Sequence, residues 1–191
     1  MITREEHAAI RADLASLRKQ TVRSRFGEIP ASVEYVETLL GRSFSDDDRS
    51  LLYSLLIGEC SRSQNDELYV DALRRRLRDL PNDPISHAGL AMTLATIGGK
   101  HRDEALKLAN DAILIAKLEN RLVRYCATNL ARVALVLDDY ESLNSALAEL
   151  VNDGGFTRSE DSPYEFDFID HIDTSLVDQE LLARYSNLDP R

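Results

Sequence analysis

Asp103-Glu104-Ala105-Leu106-Lys107-Leu108-Ala109-Asn110-Asp111-Ala112-Ile113 places small residues (Ala105, Ala109, Ala112) and larger aliphatic ones (Leu106, Leu108, Ile113) at helical spacing. Small residues let a neighbouring helix approach closely, while the aliphatics fill the groove beside it. Related spacings recur upstream and downstream at a separation of about 34 residues. The stretch therefore points to stacked helix pairs, a scaffold that binds rather than a pocket that catalyses.

Working outward, Thr3-Arg4-Glu5-Glu6 reads as a capping box, with the Thr3 hydroxyl taking the Glu6 amide and Glu6 reaching back. The helix it starts carries Ile10, Leu14 and Leu17 on one face and ends between Gln20 and Arg25. Pro30 and Ser32 introduce a second helix through Leu40, with Gly41 as its stop. Ser45-Asp46-Asp47-Asp48 sets acids at the positive end of a helix dipole and opens a helix over 46–62. The turn Ser63-Gln64-Asn65-Asp66 leads to a partner over 67–80, which Pro81-Asn82-Asp83-Pro84 breaks. Further pairs are expected over 85–97 with 102–117, and over 121–136 with 140–151; Asp153-Gly154-Gly155 closes the array. Phe156, Tyr164, Phe166 and Phe168 alternate with acids in a segment without clean period, an extended strip over the helical surface. Asp173-Thr174-Ser175 is expected to cap a last helix to about Tyr185.

This reading is all-α. It divides the chain into an N-terminal segment of two helices (1–45), about three hairpins (46–152) and an acidic C-terminal segment with a final helix (153–191). An ordinary helical bundle whose hairpins share a period would show the same pattern.

Hydrophobic residues make up 43% of the 191 residues and charged ones 29%, enough for a core and for a polar surface. Cys60 and Cys126 sit in no metal or redox spacing and fall at apolar helix positions, as buried free thiols do. No stretch approaches the ~20 apolar residues that span a bilayer, and the charged N-terminus lacks the apolar core of a signal peptide. A cytoplasmic protein with no membrane association is expected. The net charge of −10 is uneven: residues 160–191 hold nine acids against Arg184 and Arg191, while residues 1–25 carry six bases against three acids. An acidic surface repels nucleic acid, so none is expected as a partner; a basic protein or head-to-tail self-association is steered favourably.

Residues 50–151 resemble the tetratricopeptide repeat family. Tyr53, Leu56, Ile57 and Cys60 match a first helix, with Tyr69, Leu73, Arg76, Leu77 and Pro81 on its second. His87, Leu90, Ala91, Leu94 and Gly98 pair with Ala105, Ala109, Ala112 and Ile113; Ala127, Leu130, Ala131, Ala134 and Tyr140 precede Leu143, Leu147 and Leu150. The array is degenerate: Arg76 replaces a small residue, Gly99-Lys100-His101-Arg102 is a two-residue insertion, and the link 117–124 is long. The resemblance implies a right-handed superhelix, an α-solenoid closed by N- and C-terminal capping helices. It also implies a concave face lined by first helices: Ser54, Gly58, Ser61 and Arg62, then Ala88, Met92 and Thr96, then Tyr125, Thr128, Asn129 and Arg132. Arg62, Tyr125, Asn129 and Arg132 are the candidate partner-binding residues, Tyr and Arg being enriched in binding hot spots. The set lacks the Lys/Asn/Arg cluster by which some family members clamp a C-terminal carboxylate.

No phosphate loop, nucleophile elbow, HExxH or Cys/His cluster occurs in the sequence, and no catalytic residue, metal site or cofactor is expected. His7, His87, His101 and His171 are widely separated. Glu165, Asp167, Asp170, His171 and Asp173 could offer oxygen ligands to a divalent cation, but lack the turn and spacing of a calcium loop. Arg74-Arg75-Arg76-Arg78 points in several directions around its helix and reads as solvated or salt-bridged. The leading expectation is a non-catalytic adaptor or chaperone that binds a protein or peptide, with a homodimer through the N-terminal helices one assembly open to it. The alternatives are an acidic, immunity-type inhibitor of a basic partner and, remotely, a metal-dependent enzyme.

Overall fold

The computed structural model describes residues 1–21, 29–42, 45–152 and 172–187. It is helical throughout, with no strand among the described residues. Two compact units divide the chain, Met1–Pro81 and Asn82–Arg191. The boundary falls in the Pro81–Pro84 break, and the helix pair that follows Ser45 belongs with the two helices before it.

The first unit contains α1 (Arg4–Thr21), α2 (Ala31–Leu40), α3 (Asp46–Arg62) and α4 (Asp66–Asp79), each packed on its chain neighbour. The helix starts follow from side chains that satisfy otherwise orphaned amides. The Glu6 amide donates to Thr3 Oγ1 at 3.2 Å and the Thr3 amide donates to Glu6 Oε2 at 2.7 Å, a closed capping box. Ser45 accepts from the Asp48 amide at 3.3 Å, and Asn65 accepts from the amides of Glu67 and Leu68. Asp48 itself is buried and takes the Ile2 amide at 2.6 Å and the Met1 amino group at 3.2 Å. The core joins Ile10 and Leu14 of α1, Val33, Val36 and Leu39 of α2, Leu52, Tyr53, Leu56 and Cys60 of α3, and Ala72 of α4. Fully burying a leucine such as Leu14, Leu52 or Leu56 contributes roughly 1.5–3 kcal/mol over leaving it exposed.

The basic run on α4 is largely ion-paired or turned inward. Arg75 forks onto Glu37 at 2.5 and 2.7 Å, and buried Arg76 donates to the hydroxyls of Ser54 and Ser50 at 3.2 and 3.3 Å. Arg76 thus fills a buried position with a guanidinium bonded across to α3.

The second unit contains α5 (Pro84–Ile97), α6 (Arg102–Leu118), α7 (Val123–Val136), α8 (Tyr140–Asn152) and α9 (Gln179–Ser186), with 3₁₀ turns at Gly99–His101 and Thr174–Leu176. Pro84 opens α5 at a position where its missing N–H costs nothing, and Gly98 closes it at φ 141°, backbone open to glycine. α5 packs on both α6 and α7, α6 on α7, α7 on α8, and α8 on α9. On α6 the opening stretch does what its spacing predicts: Ala105, Leu108, Ala109, Ala112, Ile113 and Ala116 are buried, while Lys107, Asn110 and Leu114 face out. α7 contributes Cys126, Ala127, Leu130, Ala131, Val133 and Ala134, and α8 Leu143, Ala146, Leu147 and Leu150.

The Gly99–Arg102 segment has a structural use. Arg102, at the start of α6, donates to the Leu137 carbonyl and to Asp139 Oδ2 at 2.9 Å, clamping the turn between α7 and α8. Asp139 in turn accepts from the Ser142 amide at 2.9 Å and so starts α8.

Two expectations need correction. The last helix does not begin at Asp173. Asp173 caps only the 3₁₀ turn, accepting from the Ser175 amide at 3.0 Å, and α9 starts six residues later with Asp178 accepting from the amides of Glu180 and Leu181. Both aspartates carry good capping sequences; burial of Val177 and Tyr185 selects the later start. The link after α6 also differs, because Leu122 adopts φ 62° and α7 starts only at Val123. The strip around Phe156, Tyr164, Phe166 and Phe168, and Asp153-Gly154-Gly155, lie outside the described residues.

Candidate functional site

The end of α7 departs from ordinary amphipathic patterning: Val133, Ala134, Leu135, Val136 and Leu137 are apolar in succession, more than one buried face can absorb. Val133, Ala134 and Leu137 go to the core, leaving Leu135 half-buried and Val136 46% exposed. With Met92 of α5 and Tyr140 and Leu143 of α8, these two line a cavity of about 440 Å³. Arg132 stands on its wall one turn before Val136, and Asp138 and Asp139 form the edge at the α7–α8 turn.

The two aspartates differ. Asp139 is engaged by the Ser142 amide and by Arg102, which, against some burial, hold its carboxyl below the usual range. Asp138 sits at φ 51° with an exposed side chain that has no ion pair among the described residues. The cavity is thus an apolar trough with a carboxylate on its rim. The Met92 thioether gives the floor an adaptable surface.

Of the candidate partner-binding residues, Tyr125, Asn129 and Arg132 share α7, whereas Arg62 lies on α3 in the other unit. Tyr125 is exposed and Arg132 reaches the trough. Asn129 is only 7% exposed and its Nδ2 donates to the Tyr125 carbonyl at 2.8 Å, so its amide serves its own helix. Arg62 is tied to Glu59 at 3.0 Å and to the Gly58 carbonyl at 2.8 Å. Within the wider lining set, Met92 is in the trough, Thr96 is exposed, and Ala88 is completely buried, because a methyl at helix–helix contact packs inward whatever the repeat pattern assigns it. Leu135 and Val136 are lining residues that the sequence reading passed over, and the unbroken apolar run before Asp138-Asp139 was their signal; Tyr140 was read only as part of the repeat pattern.

The other chemistry-bearing residues are occupied locally. His87 is buried with Nδ1 3.0 Å from the Asp83 carbonyl, and His101 lies 3.4 Å from Glu104. Burial pushes the Cys60 thiol up to about 11 and the Cys126 thiol to about 12, so neither is a thiolate at neutral pH. Among the described residues no cluster of three His, Cys, Asp or Glu side chains is placed to hold a metal. Glu165, Asp167, Asp170 and His171 lie outside them, and Asp173 is spent on Ser175. No described helix is long and apolar enough to cross a membrane.

No protein-family model, no curated protein and no solved structure matches this chain.

Proposed function

We propose that this protein is a non-catalytic interaction module of tetratricopeptide-repeat-like, superhelical design, and that the trough of the second unit receives a segment of a protein partner. The observation that carries the reading is the apolar surface left at the end of α7: Val136 and Leu135 beside Met92 and Tyr140, with Asp138 on the rim. Exposed apolar surface rimmed by polar groups marks sites of association. The packing of α5 against both α6 and α7 is the neighbour relation that stacked hairpins require. The occupant that fits is a peptide with a bulky apolar side chain for the trough and a Lys or Arg within reach of Asp138; the net charge of −10 steers such a basic partner. The immunity-type alternative rests on the acids of 160–191, most of them outside the described residues, and no structural observation favours it.

Selection of a displayed random-peptide library on the immobilised full chain tests this. Enriched peptides should share an apolar anchor next to a basic residue. Their affinity should fall about tenfold or more in Val136→Asp, which places a charge where an apolar anchor must desolvate, and less in Asp138→Asn. Absence of an enriched motif, or peptides indifferent to Val136→Asp, would sink the proposal.

A further inference from the structure

A second cavity, of about 360 Å³, lies within the first unit between α1 and α3. Arg11 and Arg18 enter it from α1, seven residues apart and therefore on one helix face, and Arg62 enters from the last turn of α3. Glu59, 2% exposed, anchors the wall. Arg18 forks onto its carboxylate through Nε and Nη2, and Arg62 Nη1 donates to it at 3.0 Å. Gly58 keeps this arrangement open: a Cβ there would stand 3.3 Å from Arg62 Nη1, where the guanidinium lies against the helix.

Burial pushes the Glu59 carboxyl up, but the hydrogen bonds of Arg18 and Ser32 and the charges of Arg18 and Arg62 outweigh it, and the group stays below the usual range. Glu59 is therefore ionised at neutral pH. Arg18 and Arg62 share this one carboxylate and Arg11 lines the cavity beside them, an excess of two positive charges in its lining on a chain whose net charge is −10. Arg11 has no hydrogen-bond or ion-pair partner among the described residues.

We propose that this cleft binds the dianionic phosphate of a small phosphate monoester, held by Arg11, Arg18 and Arg62. A dianion balances this excess of two charges. Guanidinium forks match phosphate oxygens in geometry, and such charge-assisted bonds are roughly twice as strong as neutral ones. Glu59 already fixes Arg18 and Arg62, so binding immobilises little that is free. The volume falls in the range of small-ligand sites, about 300–1,000 Å³, which leaves room beside Leu55 for the organic part of the ester. The inference is independent of the peptide trough, which lies in the other unit.

Titration calorimetry of the full chain at physiological salt, with glycerol 3-phosphate, inorganic phosphate and acetate as probes, tests it. Glycerol 3-phosphate should bind more tightly than inorganic phosphate, and acetate should not compete. Arg11→Gln should weaken glycerol 3-phosphate about tenfold, the loss of one charge-assisted bond, with unfolding temperature unchanged because Arg11 makes no hydrogen bond or ion pair among the described residues. Arg78→Gln removes the same charge from an arginine 73% exposed and not among those lining this cavity, and should leave affinity unchanged. Equal losses in the two variants, equal binding of acetate, or no heat with any probe at millimolar concentration would overturn the proposal. Inorganic phosphate binding as tightly as the ester would overturn the assignment of a monoester.

Discussion

Replacing Ala112 by leucine tests whether the small residues of α6 are small because the helices of the second unit meet there. Ala112 is 0% exposed and belongs to a helix packed on both α5 and α7. Leucine adds three carbons to a place with no solvent to enter. The neighbours must shift or adopt poor rotamers, a cost of about 1–3 kcal/mol. A unit of this size loses on the order of 4 °C of unfolding temperature per kcal/mol, so a fall of roughly 4–12 °C is expected. The control is the reverse change two positions on: Leu114 is 58% exposed, and Leu114→Ala removes the same three carbons from water. It should alter stability by no more than about 0.5 kcal/mol. Circular dichroism at 222 nm during heating, repeated in urea at constant temperature, reads both variants. If Ala112→Leu unfolds with the parent, the helices do not meet at the alanines and the reasoning from small residues to close packing is refuted.

Three other outcomes are expected. Asp48, held down to about 2 by the Ile2 amide first and then by Ser45, stabilises the fold fully above its ordinary 3.8. A carboxyl whose pKa falls on folding loses that contribution as pH drops through the folded value, so the urea midpoints of parent and Asp48→Asn should converge between about pH 4 and about pH 2; a constant gap would refute it. Cys60 and Cys126 should resist a thiol reagent at about pH 8 in the native chain and react together once it is unfolded, and rapid native labelling of either would contradict their burial. Tyr53→Phe removes the 2.6 Å bond to Asp79 and should cost about 0.5–1.5 kcal/mol in urea unfolding, with little further loss when Asp79→Ala is added.

The helices were legible wherever termini are written in side chains. Thr3 with Glu6, Ser45, Asn65 and Pro84 each satisfy or remove a backbone group, Gly98 takes a φ of 141° that side chains disfavour, and the expected ends at these points fall within a residue or two of the observed ones. The C-terminal helix was misplaced because Asp173 and Asp178 both accept backbone amides as caps, so the sequence offers two starts. Leu122 was illegible for another reason: nothing in a leucine announces a left-handed backbone, which the chain adopts to turn between α6 and α7. The sites were less readable than the helices. Met92 and Arg132 were reached through the repeat pattern, but the trough also needs Val136 and Tyr140, which come together only when α7 and α8 fold back on each other. The arginine cleft joins Arg11 and Arg18 of α1 to Ser54 through Arg62 of α3, a juxtaposition that no spacing rule describes.

The Arg102 clamp has a bearing on how the second unit comes apart. Hairpins in a linear array can fray from the ends, each melting with little effect beyond its neighbour. Here the arginine that begins α6 completes the turn that begins α8, so the last hairpin borrows part of its nucleus from the one before. Opening α7–α8 strands a guanidinium at the start of α6, and opening α5–α6 strips the α7–α8 turn of its counter-charge. Hydrogen exchange should therefore report a single cooperative block across α6, α7 and α8, where independent hairpins would exchange at separate rates.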